Sequence, residues 1–412
     1  MTDTTTTAPA GSRLAPPATA AGALERLEPI LERLRSTASR REREHELPTG
    51  VVRELADAGF GALRVPREHG GAGLSFAELG EVLVELAAAD SNLPQIFRGH
   101  LAFVEDRLTA PASPARDTWL ARFAAGEIVG NAWSETGSVG LGDSGTRIRR
   151  TPHGPRVDGR KFYTTGSLYA DWIDATAKDA DGSDATVLLR VDQPGVSVRD
   201  DWDGFGQQLT GTGTAVFDDA VAEAGDVFRF ADRFRYQTAL YQWVLVTVLA
   251  GIAQATEREA GEALRARTRV YSHGLAPLAK DDGQLQAVIG EISAVAFTAR
   301  SLVRSVGDAL DAAAATASLR GSAEDDAANV RAEIASAQAQ IVLSQSVPLA
   351  ATRLFDTLGA SAVSRAAGLD RHWRNARTVA SHNPWVYKAR IVGDWSVNGT
   401  VPPYIWQIGT AS

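Results

Sequence analysis

The 412-residue chain predicts an α+β protein built in three parts. Apolar residues at helical spacing fill its first and last stretches. The middle breaks into short β-prone runs separated by turn dipeptides. A Thr-, Ala- and Pro-rich start, "MTDTTTTAPAGSRLAPPATAAGA", precedes both and reads as a disordered tail. The expected division is a tail over 1–22, an N-terminal helical domain over 23–128, a central antiparallel β-domain over 129–229 and a C-terminal helical bundle over 230–412.

Each part has its own signals. In "SFAELGEVLVELAAAD", Ser75 and Glu78 stand at capping-box spacing, and Leu79, Val82, Leu83 and Leu86 share one face. The preceding "VPREHGGAG", residues 65–73, is a Gly- and Pro-punctuated connector, since no strand leads into it as a phosphate-binding loop requires. In the middle, "TRIRR", "PRVDGRKFYTT", "ATVLLRV" and "GVSVRDDW" alternate with "HG", "DG" and "DADGSD". After Ala231 long Ala-, Leu- and Val-rich stretches run with few breakers until Gly359, as in a bundle of antiparallel helices. The most apolar run, Ala239 to Ala255, contains Gln242 and Gln254 and is shorter than the roughly 20 apolar residues of a membrane span, so a buried core helix is expected.

Composition narrows the function. A formal net charge of −8 argues against a nucleic-acid partner. With no cysteine, disulfides, thiolate metal sites and cysteine nucleophiles are excluded, and a reducing cytoplasm fits. The start has no basic segment leading into an apolar one, so no signal peptide is read there. HExxH, GxSxG, P-loop and EF-hand patterns are absent, and the seven histidines lack metal-ligand spacing. No GxGxxG opens a βαβ unit. Chemistry then needs a borrowed cofactor.

Three clusters could wall a flat polar ring: "GNAWSETG" (Gly130 to Gly137), "GRKFYTTGSLYADW" (Gly159 to Trp172) and "DDWDGFGQQLTGTGT" (Asp200 to Thr214). Aromatic faces stack on such a ring while hydroxyls and amides bond its edge. If the strand continues, Phe162 and Tyr163 face opposite sides. Each cluster taken alone also reads as a β-turn with packing aromatics. A fourth stretch, "GLDRHWRNARTVASHNPWVYK" (Gly368 to Lys388), is a basic helix end stopped by Pro384.

Together "NAWSE", the G-x-K-x-Y-x-x-G spacing, "DDWDGFGQ" with "TGTGT", and "LDRHWRNAR" leading to "HNP" make the chain resemble the acyl-CoA dehydrogenase superfamily. More narrowly it resembles that fold's flavin-dependent monooxygenases of the dibenzothiophene monooxygenase type. The resemblance covers essentially everything after Leu24. It implies a four-helix bundle, a homotetramer, and a flavin between the β-domain and the bundle with part of the site from a neighbouring subunit. It places Asn131 to Thr136 (with Trp133 and Ser134) and Lys161 to Thr165 (with Tyr163) beside the isoalloxazine ring. It implies Arg269 as the phosphate-binding arginine, a task suited to a bidentate guanidinium. Ala360 and Ser361 offer backbone N–H groups to phosphate.

Departures from the superfamily choose the reaction. Where many dehydrogenases carry a catalytic glutamate, the chain has "HNP" with Asn383, and no carboxylate lies between Asp370 and Asp394. An amide cannot abstract a proton as a general base. "LGASAV", residues 358–363, stands where FAD-binding relatives use a Gly-rich segment, which favours FMN.

The expectation is a two-component monooxygenase. A separate flavin reductase supplies reduced FMN, and a flavin C4a-hydroperoxide oxygenates a small organic substrate at S, N or C, with a sulfur heterocycle or an amine in view. In this reading Thr165 and His382 stabilise the oxygenated flavin, His100 orients substrate or donates a proton, and Trp202 and Phe205 line the substrate space. Two alternatives stay open: an acyl-CoA dehydrogenase-like FAD oxidoreductase, and a non-catalytic helical-bundle scaffold.

Overall fold

The computed structural model describes residues 16–135 and 145–404. Five helices open it: α1 (Ala20–Arg43), α2 (Thr49–Asp57), α3 (Phe76–Ala89), α4 (Asn92–Thr109) and α5 (Pro114–Ala124). Thr19 caps α1 by accepting from the Gly22 N–H at 3.2 Å, so helix begins three residues inside the stretch expected as a tail; residues 1–15 lie outside the described residues. The capping box at α3 is present in both directions, Ser75 Oγ accepting from the Glu78 N–H and Glu78 Oε2 accepting from the Ser75 N–H. The connector before α3 is tightly folded on itself. A Cβ at Gly71 would sit 2.1 Å from the Val65 carbonyl oxygen, so the glycine serves a close backbone approach.

The middle of the chain is one sheet. Its described strands are β1 (Val129–Ala132), β2 (Arg147–Thr151), β3 (Gly154–Lys161), β4 (Trp172–Lys178), β5 (Asp184–Arg190), β6 (Val196–Val198), β7 (Ala215–Val221) and β8 (Val227–Arg229). They run in the order β6-β7-β3-β2-β4-β5-β8, with β1 on β4. Most pairs are antiparallel, but β1–β4 is parallel over Val129–Trp172 to Ala132–Ala175, so the sheet is mixed. A parallel pair needs a long crossover; here the β2–β3 hairpin and the loop after Lys161 lie between the two strands. Asp171 fixes the entry, its carboxylate accepting from the Ile128 N–H at 2.7 Å.

The helical remainder comprises α6 (Gln237–Ala266), α7 (Gly283–Ala315), α8 (Ala323–Leu358), α9 (Asp370–Ser381) and α10 (Trp385–Asn398). Helices α6, α7 and α8 pack against one another, α9 lies on α6 and α8, and α10 lies on α8. Helix α6 is apolar enough to cross a membrane by composition, but 83% of its most apolar window is buried inside the protein. One core cluster joins α1, α3 and α4 to α6, α7, α8 and α9, through residues such as Leu31, Leu83, Phe97, Trp243, Val303 and Leu343. The sheet keeps its own core of Ile148, Val157, Ile173, Val187, Leu189 and Phe217.

Candidate active site

Beyond β3 the chain turns rather than continuing as a strand. Tyr163 adopts a left-handed backbone (φ 56°), which ends the strand alternation expected for Phe162 and Tyr163. Thr164 is then buried, its N–H and Oγ1 both donating to the Gly213 carbonyl at 3.0 Å. Gly166 (φ 80°) passes so close to α4 that a Cβ would lie 2.2 Å from the Ile96 carbonyl oxygen. Thr165, held between these anchors, heads a row of hydroxyls. Its Oγ1 lies 2.8 Å from Thr212 Oγ1, which lies 2.8 Å from Thr210 Oγ1, which donates to the Gln207 carbonyl at 2.8 Å. A carbonyl can only accept. Thr210 therefore gives its proton to Gln207, Thr212 to Thr210, and Thr165 to Thr212. With every contact of the row made, Thr165 is left with acceptor lone pairs.

The loop that carries Thr210 and Thr212 is pinned to α9. A Cβ at Gly206 would meet the Arg374 carbonyl oxygen at 2.3 Å, and the Gln207 N–H donates to Asn375 Oδ1 at 2.6 Å. Asn375 Nδ2 donates in turn to the buried Glu42 of α1 at 2.8 Å, which Arg374 also pairs at 2.8 Å. Arg371 and His372 share Glu259 of α6. The arginines of "LDRHWRNAR" that these contacts engage thus tie α9 to α1, α6 and the loop. Trp202 donates to the Gly206 carbonyl at 3.0 Å and meets Tyr163 edge-on at 6.1 Å. Phe205 is half exposed and stacks on Trp373 of α9 at 5.8 Å. Among the described residues nothing joins Phe205 to Thr165 or His382, so its contacts are those of a loop-to-helix clasp.

Helix α4 forms the opposite side. A glycine at 99 lets it approach β1, since a Cβ there would lie 2.8 Å from Asn131 Oδ1. His100 is fully buried. Its Nε2 lies 2.8 Å from the Gly61 carbonyl, and its Nδ1 accepts from the Val129 N–H at 3.2 Å. The carbonyl fixes the proton on Nε2. Burial pushes the imidazole pKa down to about 4. With both nitrogens taken by backbone, His100 is built as a tie between α4, β1 and the turn at Gly61. Neither ring nitrogen is free here for the part as a proton donor expected from the resemblance. Two residues earlier on α4, Arg98 is 6% exposed and lies over the Tyr241 ring at 5.2 Å. Tyr241 meets Trp133 at 5.4 Å, and Trp133 carries Arg233 over its face at 4.8 Å. Ser134 pairs with Phe162 as a single bridge. Thr136 lies outside the described residues.

His382 follows the last turn of α9. The residue is exposed; desolvation by the surrounding protein, and then the charge of Arg98, push its pKa below the usual histidine value. No carboxylate acts on it among the described residues. The next residue, Asn383, donates from Nδ2 to Gln242 Oε1 of α6 at 2.9 Å, and its carbonyl accepts from Gln340 of α8 at 2.8 Å. Asn131 Oδ1 and the Tyr241 hydroxyl are buried without a partner. Buried polar atoms are rarely left so.

Arg269, Ala360 and Ser361 lie apart from this group. Arg269 is exposed in the α6–α7 connection, and Ala360 and Ser361 are exposed in the 3-10 turn Ala360–Val363 after α8. Arg267 joins the two segments, donating to the Thr357 carbonyl at 2.9 Å and to the Arg269 carbonyl at 3.0 Å. Among the described residues no hydrogen bond or ring contact connects them to Thr165, Trp133 or His382.

Family models agree with this architecture. The acyl-CoA dehydrogenase N-terminal domain matches residues 28–127 and the acyl-CoA dehydrogenase C-terminal domain matches residues 243–385, together more than half of the chain. The chain belongs to the acyl-CoA dehydrogenase superfamily. Within it, a dibenzothiophene monooxygenase of Rhodococcus erythropolis is 26% identical over 90% of this chain and 92% of its own length. A probable FMNH2-dependent monooxygenase of Pseudomonas putida is 26% identical over 89% of this chain and 92% of its own. The solved structure of TdsC from Paenibacillus sp. A11-2, in complex with FMN and indole, superposes with a TM-score of 0.82 at 27% identity, covering 92% of this chain and 98% of that one. These relatives make the chain a flavin-dependent monooxygenase of the superfamily. Sequence reasoning missed Thr210, Thr212, Gln242 and Arg98. The first two stood in plain view as "TGTGT"; the other two are polar residues inside apolar helical runs, a signal that was there to use.

Proposed function

We propose that this chain is the oxygenase of a two-component system, taking reduced FMN from a separate flavin reductase and oxygenating a small organic substrate at sulfur or nitrogen. The observation that carries the choice over a dehydrogenase is the end of α9. Asn383 faces Gln242, amide to amide, and His382 has no acid beside it among the described residues. No carboxylate base stands there to take the α-proton of an acyl thioester.

The residues fit the flavin. Asn131 Oδ1 awaits a polar partner, Trp133 and Ser134 follow β1 on the Tyr241 and Phe162 sides, and Tyr163 follows in the turn after β3. Reduced FMN supplies two electrons to O2, so that one oxygen atom enters the substrate and the other leaves as water. Thr165, its proton committed to Thr212, accepts from a ring N–H. His382, solvent-reached and with its pKa lowered, is neutral at pH 7 and donates from its single N–H to developing negative charge. Trp202 closes the space beside Tyr163 and keeps water out.

The phosphate of FMN calls for Arg269 and the backbone N–H groups of Ala360 and Ser361, which belong to the other exposed group. A second copy of the chain bringing them to the first copy's Thr165 resolves the separation, in a homotetramer. Large exposed apolar side chains on α7, α8 and α10, among them Phe297, Leu349 and Val397, support such assembly.

The test measures product and hydrogen peroxide per O2 consumed, with reduced FMN supplied. His382→Ala and Thr165→Val should each cut product per O2 about tenfold, the size of one lost buried hydrogen bond. Arg269→Ala should weaken FMN binding while leaving coupling at saturating FMN intact. Unchanged coupling in both His382→Ala and Thr165→Val refutes these roles.

A further inference from the structure

Five arginines of the described chain are nearly fully buried: Arg41, Arg98, Arg107, Arg233 and Arg371. Four have a carboxylate. Arg41 pairs Asp90 at 2.5 Å, Arg107 pairs Asp106 at 2.5 Å, Arg233 pairs Asp174 at 3.0 Å, and Arg371 pairs Glu259. Arg98 is the exception. Among the described residues it has no ion pair and no hydrogen bond, and its buried Nε has no acceptor. It lies over the face of Tyr241, and its charge acts on His382. A buried guanidinium without a counter-charge is costly, and a folded protein that keeps one has a partner arriving from outside. Burial pulls its pKa down to about 10, and it stays charged at neutral pH.

The position of this charge limits what the partner is. Arg98 reaches the reaction space through Tyr241, whose ring packs on Trp133, and it acts directly on His382. The Tyr241 hydroxyl is itself buried without a partner, and its raised pKa keeps it protonated as a donor. A planar fork of N–H groups lying over a phenol ring whose O–H is also unpartnered is a receptor for a two-oxygen anion.

We infer that Arg98, with Tyr241, anchors an oxyanion group of the substrate (a carboxylate, sulfinate or sulfonate) and so makes this enzyme selective for acidic substrates. The inference rests on the flavin-monooxygenase reading of the same site. The anchored anion would hold the oxygenated atom toward His382 and supply the counter-charge that the fold omits.

The experiment uses the full chain loaded with FMN and two probes, indole and indole-2-carboxylate, titrated by the change in flavin absorbance. The wild type should bind the carboxylate at least about tenfold more tightly than indole, a charge-assisted pair's contribution. Arg98→Leu should abolish that preference, and Arg98→Lys should keep part of it. FMN affinity should change less than about twofold in both. Because Arg98→Leu removes an unpaired buried charge, its melting temperature should not fall. Equal binding of the two probes to wild type, or a preference that survives Arg98→Leu, overturns the inference. So does a loss confined to FMN binding, which would assign the guanidinium to the flavin. Product coupling is read separately. An intact anion preference without oxygenation sinks the monooxygenase reading and leaves the anion site standing.

Discussion

A hydroxyl that has already given its proton away can only accept, and Thr165 is in that position. The conclusion comes from following one hydrogen-bond row to its carbonyl end at Gln207, not from the residue type. His100 shows the same logic with the opposite result. It shares a residue type with His382 and sits in a stretch that resembles a flavin site, but Gly61 and Val129 consume both ring nitrogens. We propose that its part is in folding, and pH tests it. An unfolded histidine titrates near 6.5 and this one near 4, so the folded state binds fewer protons between those values. Stability from His100 is complete above about pH 6.5 and is lost as pH falls toward 4. His100→Leu should cost about 2–4 kcal/mol at pH 8, since two buried backbone groups lose partners. It should also flatten the fall in stability between pH 6.5 and 4. Urea melts at the two ends of that range check both, and an unchanged pH dependence would mean that His100 is not buried neutral.

At the scale of elements, α9 is the joint of the site. It receives α1 through Glu42, α6 through Glu259 and the 200–214 loop through Asn375. The hydroxyl row is therefore positioned by a helix that contributes none of its hydroxyls. Gly206→Val tests the joint. Its side chain would collide with the Arg374 carbonyl and with Thr378 Oγ1, 2.3 and 2.5 Å from an added Cβ. The loop should lift, with a loss of about 1–3 kcal/mol and a fall in product coupling. Gly225→Ala, with nothing within 4 Å, is the control that should change neither. If Gly206→Val melts and couples like the control, the loop is not held against α9. Elements also mark where sequence reading stops. The helices and most strands announced themselves by period and capping, as Ser75 and Glu78 did. The end of β3 at Lys161 did not, because a tyrosine in the left-handed region carries no glycine to flag it. The parallel β1–β4 pair was also invisible, being set by partners some 40 residues apart in sequence.

At the scale of the molecule, the three-part plan was legible because each part has its own hydrophobic period, and its motifs were long enough to point to a family. The candidate site was only half legible. Thr165, Trp133 and His382 were named by motif. The missing counter-ion of Arg98 was not, since the absence of a partner is a property of everything that folds around a residue. Arg269 and Ser361 carry the same lesson at larger range: one chain leaves them exposed and separate, and only the proposed second copy would give them a purpose. The claim on which all of this depends is oxygen transfer by reduced FMN. It is tested most directly by supplying the protein with FMN, a generic flavin reductase and a panel of sulfur and nitrogen substrates, and measuring oxygenated product against hydrogen peroxide for each O2 consumed. The account predicts product in near one-to-one ratio with O2 for at least one substrate, highest among acidic ones. FAD retained through purification and bleached by an acyl-CoA, with O2 returned only as peroxide, would contradict it.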